Sequence, residues 1–266
     1  MSDVANFNEI RLQKQGATMH LVLSRPEARN AMSVHMGEEI AAAVAQINAD
    51  RDVRVVLVRG EGQAFAAGGD FGFIADRVVD ESENNRRVML DYYRRFLTIR
   101  ALHVPSIAVI HGAAIGAGLC FALACDIRYA APEAQLGVNF VRLGLHPGMG
   151  ATYFLPRLVG PARAAELLLS GRRIRAEEAS RMGLVNAVYP VEELLAASEA
   201  LAAEIASCAP LAVTRTKASL AGALGRDLDE ALLAEASAQA LDYATEDMKE
   251  GIAAARERRN PRFSGR

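Results

Sequence analysis

The sequence predicts an α/β fold that continues into an all-helical segment, and three observations support this prediction. From about residue 8 to residue 190, short apolar segments typical of strands alternate with segments typical of helices. Residues 53–58 are nearly all apolar and β-branched, as expected for a strand that is covered on both faces. After about residue 191 the strand signal stops, and helical patterns fill the rest of the chain.

In the first part, four segments read as strands: residues 19–23, 53–58, 106–110 and 126–130. A helix is predicted between the first two, because Ser33 is a good N-cap residue and a stripe of apolar residues follows at helical spacing: Met36, Ile40, Val44 and Ile47. Pro161 suits the first turn of a later helix, while Gly171 and Gly183 end the helical runs 164–170 and 176–182.

The second part reads as four helices, over residues 192–207, 211–224, 228–243 and 246–259. Their alanine content is high, and small side chains allow helices to pack closely. We therefore interpret residues 191–266 as an oligomerisation or lid region attached to a core formed by residues 1–190.

Composition and charge narrow the class of protein. The chain has 266 residues, of which 51% are hydrophobic and 23% charged, and its formal net charge of −2 argues against a general nucleic-acid-binding protein. Residues 1–9 lack the features of a signal peptide, and no stretch of about 18 uninterrupted apolar residues indicates a membrane span. We expect a cytoplasmic protein that does not act at a membrane.

The three cysteines are Cys120, Cys125 and Cys208, and none shows C-x-x-C spacing. An odd number of cysteines without metal-ligand spacing predicts neither a disulfide framework nor a zinc site. We expect Cys120 and Cys125 to lie in one helix of small and apolar residues.

Residues 106–120, with the sequence SIAVIHGAAIGAGLC, form the most informative segment. An apolar strand leads into a loop of small residues, and the loop opens directly into a helix. Small residues let a ligand approach the backbone, and the first N–H groups of a helix have no intrahelical acceptor. The segment therefore predicts a binding site for an oxygen atom that carries negative charge.

Six blocks in a fixed order make the chain similar to the crotonase (enoyl-CoA hydratase/isomerase) superfamily. They are RPEARNAM at residues 25–32, FAAGGDF at 65–71, the glycine-rich segment, CDIRYA at 125–130, LGLHPGMG at 143–150, and DMKEGI at 247–252 with ERRNPRF at 257–263. The resemblance covers nearly the whole chain and implies a spiral of ββα turns with a C-terminal α-helical trimerisation region. It also implies self-association as a trimer or as a dimer of trimers.

The resemblance implies an acyl-CoA thioester as ligand, with coenzyme A as part of the substrate and no other cofactor or metal. It places the two N–H donors of an oxyanion hole at Gly69 and Ala117. Each donor in such a hole typically stabilises the transition state by about 3 kcal/mol. The coenzyme site would then include Glu27, Ala28, Arg29, Ala31, Ala66, Gly68, Asp70 and Phe71. Either Arg25 or Arg29 would meet a phosphate of the coenzyme, unless both are solvated surface charges.

The chain departs from the family pattern at the acid/base residues. Hydratases of this family hold a water molecule between two glutamates, and the motifs place Cys120 and Phe140 at these two positions. Phenylalanine cannot transfer a proton, and a neutral thiol is a poor substitute for a carboxylate. Enoyl-CoA hydration by the usual mechanism is therefore doubtful.

Two functions of different classes follow. The first is an acyl-CoA lyase or isomerase that uses another acid or base. His146 is the main candidate, because it follows the strand-like segment that bears Phe140 and because histidine as a residue type suits proton transfer. Further candidates are Cys120, as a nucleophile, and Asp91, Tyr92 or Tyr93, as groups of the acyl pocket.

The second function is a non-catalytic acyl-CoA-binding protein. A dinucleotide-binding enzyme is a weaker third alternative, because the glycines do not have G-x-G-x-x-G spacing.

Overall fold

The computed structural model describes residues 2–3, 7–223 and 225–266. Within them, strands alternate with helices up to β11, and helices follow from α8 onwards, as predicted. The strands are β1 (Ser2–Asp3), β2 (Ile10–Gln15), β3 (Thr18–Leu23), β4 (Val55–Gly60), β5 (Ala64–Ala66), β6 (Ser106–Ile110), β7 (Ala113–Ile115), β8 (Ile127–Ala130), β9 (Gln135–Gly137), β10 (Arg173–Arg175) and β11 (Ala187–Val188).

The helices predicted after Ser33, at residues 164–170 and 176–182, and beyond residue 191 all correspond to helices of the described residues. They are α1 (Val34–Ala49), α2 (Phe71–Asp76), α3 (Ser82–Leu97), α4 (Ala117–Leu123), α5 (Ala151–Val159), α6 (Pro161–Ser170), α7 (Ala176–Met182), α8 (Val191–Ala206), α9 (Pro210–Ala223), α10 (Leu228–Tyr243) and α11 (Glu246–Glu257). Short 3₁₀ helices cover Pro26–Ala28, Thr98–Ala101 and Asn139–Leu143. Leu224, the predicted end of α9, lies outside the described residues.

The strands form two sheets, and from β4 to β9 successive strands of the chain join the two sheets in turn. The larger sheet has the order β1-β2-β3-β4-β6-β8-β11, and the smaller has the order β10-β9-β7-β5. Each of the successive pairs β4–β5, β6–β7 and β8–β9 places its first strand in the larger sheet and its second in the smaller. The strands β4, β6 and β8 pair in parallel, as do β5, β7 and β9. This arrangement is the predicted spiral of ββα turns.

The larger sheet is covered on both faces, as residues 53–58 predicted. Val56 and Val58 of β4 face the main core, which also contains α1, α3 and α4. Val55 and Leu57 of the same strand face a second apolar cluster on the opposite side, where α8 packs. By its packing, α8 thus belongs with the sheet, although it follows residue 190. The predicted domain boundary between residues 190 and 191 stays a prediction.

The helix caps agree with the sequence. The hydroxyl of Ser33 accepts the N–H of Met36 at 2.9 Å and so caps α1. Gly171 and Gly183 adopt the left-handed conformation directly after α6 and α7. Two local predictions were wrong. The loop after β6 contains a further strand, β7, and Cys125 lies two residues beyond the end of α4.

Some surface features bear on membranes and assembly. No single helix of the described residues is long and apolar enough to span a membrane. One pair bent by 108°, α8 with residues Pro210–Gly222 of α9, passes that test by length and composition alone. Within α10, no residue is buried, and Leu228, Leu232, Leu233 and Leu241 are exposed.

Candidate active site

The candidate site lies where two adjacent strands of the smaller sheet end. In β5 and β7, which pair in parallel, Ala66 lies opposite Ala114. The carboxyl ends of parallel strands lie at the same edge of a sheet, where open α/β sheets bind their ligands. The segments that carry Gly69 and Ala117 therefore begin side by side.

Gly69 presents an unpaired backbone N–H. The N–H of Met32 donates to the carbonyl oxygen of Gly68 at 2.8 Å, and the N–H of Asp70 donates to the carbonyl oxygen of Met32 at 3.1 Å. In such a parallel bridge the intervening residue, Gly69, turns its own N–H away from the partner strand. Among the described residues that N–H has no backbone acceptor. Gly68 has a φ of 114°, which residues with a side chain rarely adopt, so glycine is required before this donor.

Ala117 presents a second unpaired N–H. It is the first residue of α4, where the helix itself supplies no acceptor. The preceding N–H, that of Gly116, donates to the carbonyl oxygen of Gly137 at 2.7 Å and anchors the turn on β9. In the described part of the chain, the Ala117 N–H has no backbone acceptor either. The structure thus brings the two predicted donors to one edge of the smaller sheet, both of them free.

Asn30 holds the predicted coenzyme segment against this edge. Its side chain is fully buried, and its backbone is in the left-handed conformation. Its Oδ1 accepts the N–H of Arg25 at 2.9 Å, and its Nδ2 donates to the carbonyl oxygen of Ala64 at 2.8 Å. The sequence places Asn30 in a family block without giving it a role, and its contacts show that it joins residues 25–30 to β5.

The two arginines of that segment differ in their surroundings. Arg25 is turned inward: its guanidinium pairs with Glu9 at 3.2 Å, lies 3.4 Å from Asp70 and donates to the carbonyl oxygen of Ala31 at 2.8 Å. Arg29 is exposed, and its side chain has no hydrogen bond or ion pair to the described residues. The geometry therefore favours Arg29 as the arginine that faces a bound anion.

The predicted coenzyme residues lie on two neighbouring segments, residues 27–31 and 66–71, which the Met32–Gly69 bridge joins. Ala66 and Gly68 are buried, and Ala28, Ala31 and Asp70 are half-buried; the exposed ones are Glu27, Arg29 and Phe71. The Asp70 carboxylate caps α2 by accepting the N–H groups of Gly72 and Phe73. The role of this carboxylate is therefore to cap the helix.

Cys120 lies one helical turn beyond Ala117 and is fully buried. Its Sγ is 3.6 Å from the carbonyl oxygen of Gly148. Burial raises the pKa of the Cys120 thiol to about 12, so the thiol is neutral at physiological pH. A buried neutral thiol serves poorly as a base or as a nucleophile.

Phe140 lies in the 3₁₀ helix Asn139–Leu143, and the prediction of a strand-like segment at this position was wrong. Strand β9 ends at Gly137, so the backbone is already turning when it reaches Phe140. The half-buried ring packs against the main core. A β-carbon on Gly116 would lie 3.9 Å from its Cζ, which places the ring beside the turn that leads into Ala117.

His146 is exposed, and its Nδ1 lies 2.8 Å from the carbonyl oxygen of Pro147. The structure places its ring on the surface, two residues before the buried Gly148. Asp91 is also exposed, and it pairs with Arg95 at 2.7 Å. Among the described residues, neither side chain forms a hydrogen bond or an ion pair with the segments that carry Gly69 and Ala117.

Two tyrosines of α3 lie at the site. The hydroxyl of Tyr92 donates to the carbonyl oxygen of Met32 at 2.7 Å and would lie 3.7 Å from a β-carbon on Gly69. Tyr93 is half-buried and lies against Gly148. Burial raises the pKa of both phenols, so both are protonated at neutral pH. The sequence signal for this placement is weak, because α3 lies more than fifty residues from Met32 and Gly148.

No group of three or more His, Cys, Asp or Glu side chains in the described residues could hold a metal ion. All three cysteines are free, with Cys120 and Cys125 buried and Cys208 exposed.

Comparisons with known proteins agree on one family. The sequence model of enoyl-CoA hydratase/isomerase matches residues 13–266. A crotonyl-CoA hydratase from Syntrophomonas wolfei is 38% identical over 258 residues, which cover 97% of this chain and 98% of the relative. A short-chain-enoyl-CoA hydratase from Clostridium acetobutylicum is 34% identical, with 95% of this chain and 96% of the relative covered. The crystal structure of an enoyl-CoA hydratase from Bacillus anthracis superposes with a TM-score of 0.92 at 35% identity, covering 97% of this chain and 100% of that one.

Proposed function

Because this chain belongs to the enoyl-CoA hydratase/isomerase family, we propose that it is an enzyme that processes acyl-CoA thioesters. The observation that carries this proposal is the pair of unpaired N–H groups of Gly69 and Ala117 at the ends of β5 and β7. Negative charge develops on the thioester oxygen when an enolate or a tetrahedral intermediate forms. Two fixed N–H groups stabilise that charge without reorganising during the reaction.

The coenzyme part of the substrate is proposed to bind along residues 27–31 and 66–71. Backbone groups of these two segments would contact the coenzyme, and the exposed guanidinium of Arg29 would meet a phosphate. Asn30 and the Met32–Gly69 bridge hold the segments together, so the site exists before the ligand arrives.

Hydration by a glutamate pair is not part of this proposal. The two positions at which the family hydratases carry glutamate hold a neutral buried thiol, Cys120, and an apolar ring, Phe140. A general acid or base typically contributes a factor of about 10² to 10⁴ in rate, so the loss of both is severe. The reaction is therefore a lyase or isomerase step that uses other groups.

His146 is proposed as a group that exchanges protons with solvent at the edge of the site. Its ring is exposed, Nδ1 contacts the carbonyl oxygen of Pro147, and Nε2 has no hydrogen-bond partner among the described residues. Histidine is a common acid/base residue in enzymes, which suits it to proton exchange. Replacing His146 by Ala tests this role through turnover, with Tyr153→Phe as a distant control.

Self-association as a trimer or as a dimer of trimers is a further part of the proposal. The support is the set of leucines on α10 that are more than half exposed, Leu228, Leu232, Leu233 and Leu241. Light scattering on the purified protein tests it. Replacing Leu233 by Glu is expected to shift the protein toward smaller species.

The experiment that tests the main proposal compares two changes at one residue. Gly69→Pro removes the N–H, whereas Gly69→Ala keeps it, and a β-carbon there meets chiefly the flexible end of Ile74 at 3.2 Å. A mass-spectrometric screen of saturated, 2-enoyl, 3-enoyl, 3-hydroxy and branched acyl-CoA thioesters would measure turnover. We expect turnover by the wild type and by Gly69→Ala, and none by Gly69→Pro.

The alternative function is a non-catalytic acyl-CoA-binding protein, which the residues at positions 120 and 140 favour. It predicts tight binding of thioesters with no chemical change in any of them, measured by calorimetry beside the turnover screen. Turnover of any thioester would exclude this alternative.

A further inference from the structure

His20 is a buried polar side chain without a hydrogen bond. It lies in the middle of β3 with 1% of its surface exposed, and neither ring nitrogen has a hydrogen-bond partner among the described residues. Both nitrogens are also closed to solvent. Because most buried polar groups in folded proteins are paired, an unpaired imidazole inside the fold calls for a physical explanation.

Helix α8 covers this imidazole. Leu57 of β4 lies opposite His20 in the sheet, and it belongs to the apolar cluster that Leu194 and Ala202 of α8 complete. An acidic group of the same helix, Glu199, has its Oε1 3.8 Å from Nε2 of His20. That distance is too long for a hydrogen bond, so α8 covers the ring without bonding it.

The sheet supplies positive charge beside the ring. Arg59 of β4 lies opposite Val22, so it is a diagonal neighbour of His20 on the same face of the sheet. Gln13 of β2 lies directly opposite His20, but its Oε1 accepts the Arg59 guanidinium at 3.1 Å. A proton on His20 would therefore place a second positive charge near Arg59, with no hydrogen-bond acceptor in reach.

The other charged groups near this face are occupied or point to solvent. On β2, Arg11 pairs with Glu61 at 2.8 Å, and after β6 the Nε2 of His111 lies 3.0 Å from a backbone carbonyl oxygen. The remaining acidic side chains of α8 are exposed: Glu192, Glu193 and Glu204. Among the described side chains, Glu199 is thus the carboxylate that can approach a protonated His20, and it belongs to the covering helix.

We propose that His20 is a proton-operated contact that releases α8 from the larger sheet in acid. The strands are fixed, because β3 is paired with β2 and with β4 along its whole length. Helix α8 lies outside them and packs on them through apolar side chains. Its displacement lets water or the Glu199 carboxylate reach the charged ring, so uptake of the proton and movement of α8 go together.

The sign of the effect follows from the two positions of the helix. With α8 in place, burial and, second, the charge of Arg59 lower the pKa of His20. With α8 displaced, the ring meets water and regains the ordinary histidine pKa of about 6.5. The displaced state then binds a proton more readily than the packed state, so lowering the pH below about 6.5 favours displacement.

Release of α8 would loosen the attachment of the C-terminal helices. Arg54, which precedes β4, donates to the carbonyl oxygen of Ala206 at the end of α8 and to that of Phe263 near the end of the chain, both at 2.8 Å. The position of α8 on the sheet thus also bears on the position of α9–α11. No acyl-CoA takes part, so this inference stands apart from the proposed function.

Hydrogen–deuterium exchange of the full-length protein at pH 7.5 and pH 5.5 tests the proposal. Exchange is expressed as a protection factor, which corrects for the effect of pH on the chemical exchange rate. We expect the protection of residues 191–206 to fall about tenfold at pH 5.5, which is what one histidine with an ordinary pKa of about 6.5 in the displaced state supplies. Helix α1, on the opposite face of the sheet, should keep its protection.

Two variants remove the titrating ring. In His20→Gln and in His20→Leu the side chain carries no charge at either pH, so the protection of α8 should not differ between the two pH values. A leucine suits the apolar cluster, so His20→Leu covers the case in which glutamine impairs folding. The matched controls are His103→Gln, which removes an exposed histidine, and His111→Gln; both should respond as the wild type does.

Three results would overturn the proposal. Equal protection of α8 at the two pH values in the wild type would show that no proton releases the helix. Equal losses of protection in α1 and α8 would indicate general unfolding in place of the release of one helix. A wild-type response retained by both variants of His20, or lost in His111→Gln, would assign the proton to another group.

Discussion

Gly118 of α4 packs directly against the backbone of Ala66 in β5: a β-carbon at residue 118 would lie 2.3 Å from the Ala66 carbonyl oxygen. This contact fixes how close α4 comes to β5. Because Ala117 immediately precedes Gly118, and Gly69 follows Ala66 by three residues, the same contact sets the spacing of the two unpaired N–H groups.

Gly118→Ala is expected to push α4 away from β5. Overpacking of a rigid site typically costs about 1–3 kcal/mol of stability, and turnover should fall further because the two donors move apart. Urea unfolding and the turnover assay would measure both effects. Gly225→Ala is the control, since residue 225 is exposed and, apart from its chain neighbours, no atom of the described residues lies within 4 Å of an added β-carbon. Wild-type turnover in Gly118→Ala would contradict the proposed geometry.

Ala117→Pro is expected to remove the second donor while keeping α4. Proline is favoured at the first position of a helix, where its missing N–H has no intrahelical partner. Loss of one oxyanion donor typically lowers kcat by a factor of about 10² to 10³. Ala117→Ser keeps the N–H and should retain most of the turnover, and circular dichroism would check that both variants fold. Equal activity of the two variants would exclude this N–H from the reaction.

Arg29→Gln is expected to weaken the binding of coenzyme A thioesters about two- to fivefold, since an exposed ion pair contributes up to about 1 kcal/mol. Calorimetry at low and high salt would measure this, and the difference from the wild type should shrink as salt screens the charge. Arg51→Gln, which removes another exposed arginine, is the control. Equal weakening by the two variants would point to net charge instead of a specific phosphate contact.

The cysteines are expected to differ in reactivity. Burial raises the pKa of Cys120 and Cys125 to about 12, whereas Cys208 is exposed. Iodoacetamide should therefore modify Cys208 in the native protein and reach the other two after denaturation, which peptide mass spectrometry would show. Cys120→Ser should retain turnover within a small factor. Fast alkylation of Cys120 in the native protein would support a role for Cys120 as a nucleophile.

The stability of the fold is expected to decrease as the pH falls below about 6.5. His20 is buried, with Nε2 3.8 Å from Glu199, and burial together with the Arg59 charge lowers its pKa. The unfolded chain, where histidine has a pKa of about 6.5, then binds more protons than the folded chain, so stability rises with pH across this range.

Urea unfolding at pH 7.5 and pH 5.5 measures this dependence. His20→Gln should reduce the loss of stability between the two pH values without abolishing it, since burial lowers the pKa of His111 as well. The matched comparison is His103→Gln, which removes an exposed histidine. An unchanged pH dependence in His20→Gln would mean that His20 gains a proton in the folded state as readily as in the unfolded chain.

The sequence predicts the long elements well because their signals are local. The hydroxyl cap of Ser33, the apolar run at residues 53–58 and the glycines after α6 and α7 act within a few residues. Strands β5, β7 and β9 have three residues each, too few to show a period of two, so the residue pattern does not reveal them and only the family resemblance implies the smaller sheet. The family blocks did place Gly69 and Ala117, which lie at its edge.

Side-chain positions at the site depend on contacts that the sequence does not encode locally. Tyr92 bonds Met32 across sixty residues, and Tyr93 meets Gly148 across a similar distance. The sequence named both tyrosines as candidates without distinguishing them. Their different hydroxyl environments, one bonded and one free, follow from the packing of α3 alone.

The unpaired N–H groups of Gly69 and Ala117 also have a consequence for amide hydrogen exchange. Most amides around them are held in sheet or helix hydrogen bonds, and such amides exchange with solvent deuterium only when the structure opens. The N–H groups of Gly69 and Ala117 have no backbone hydrogen bond that must break first, so their exchange rate depends only on the access of water. A ligand oxygen bound between them would close that route, so slowed exchange at two backbone positions would report occupancy of the site even when no reaction takes place.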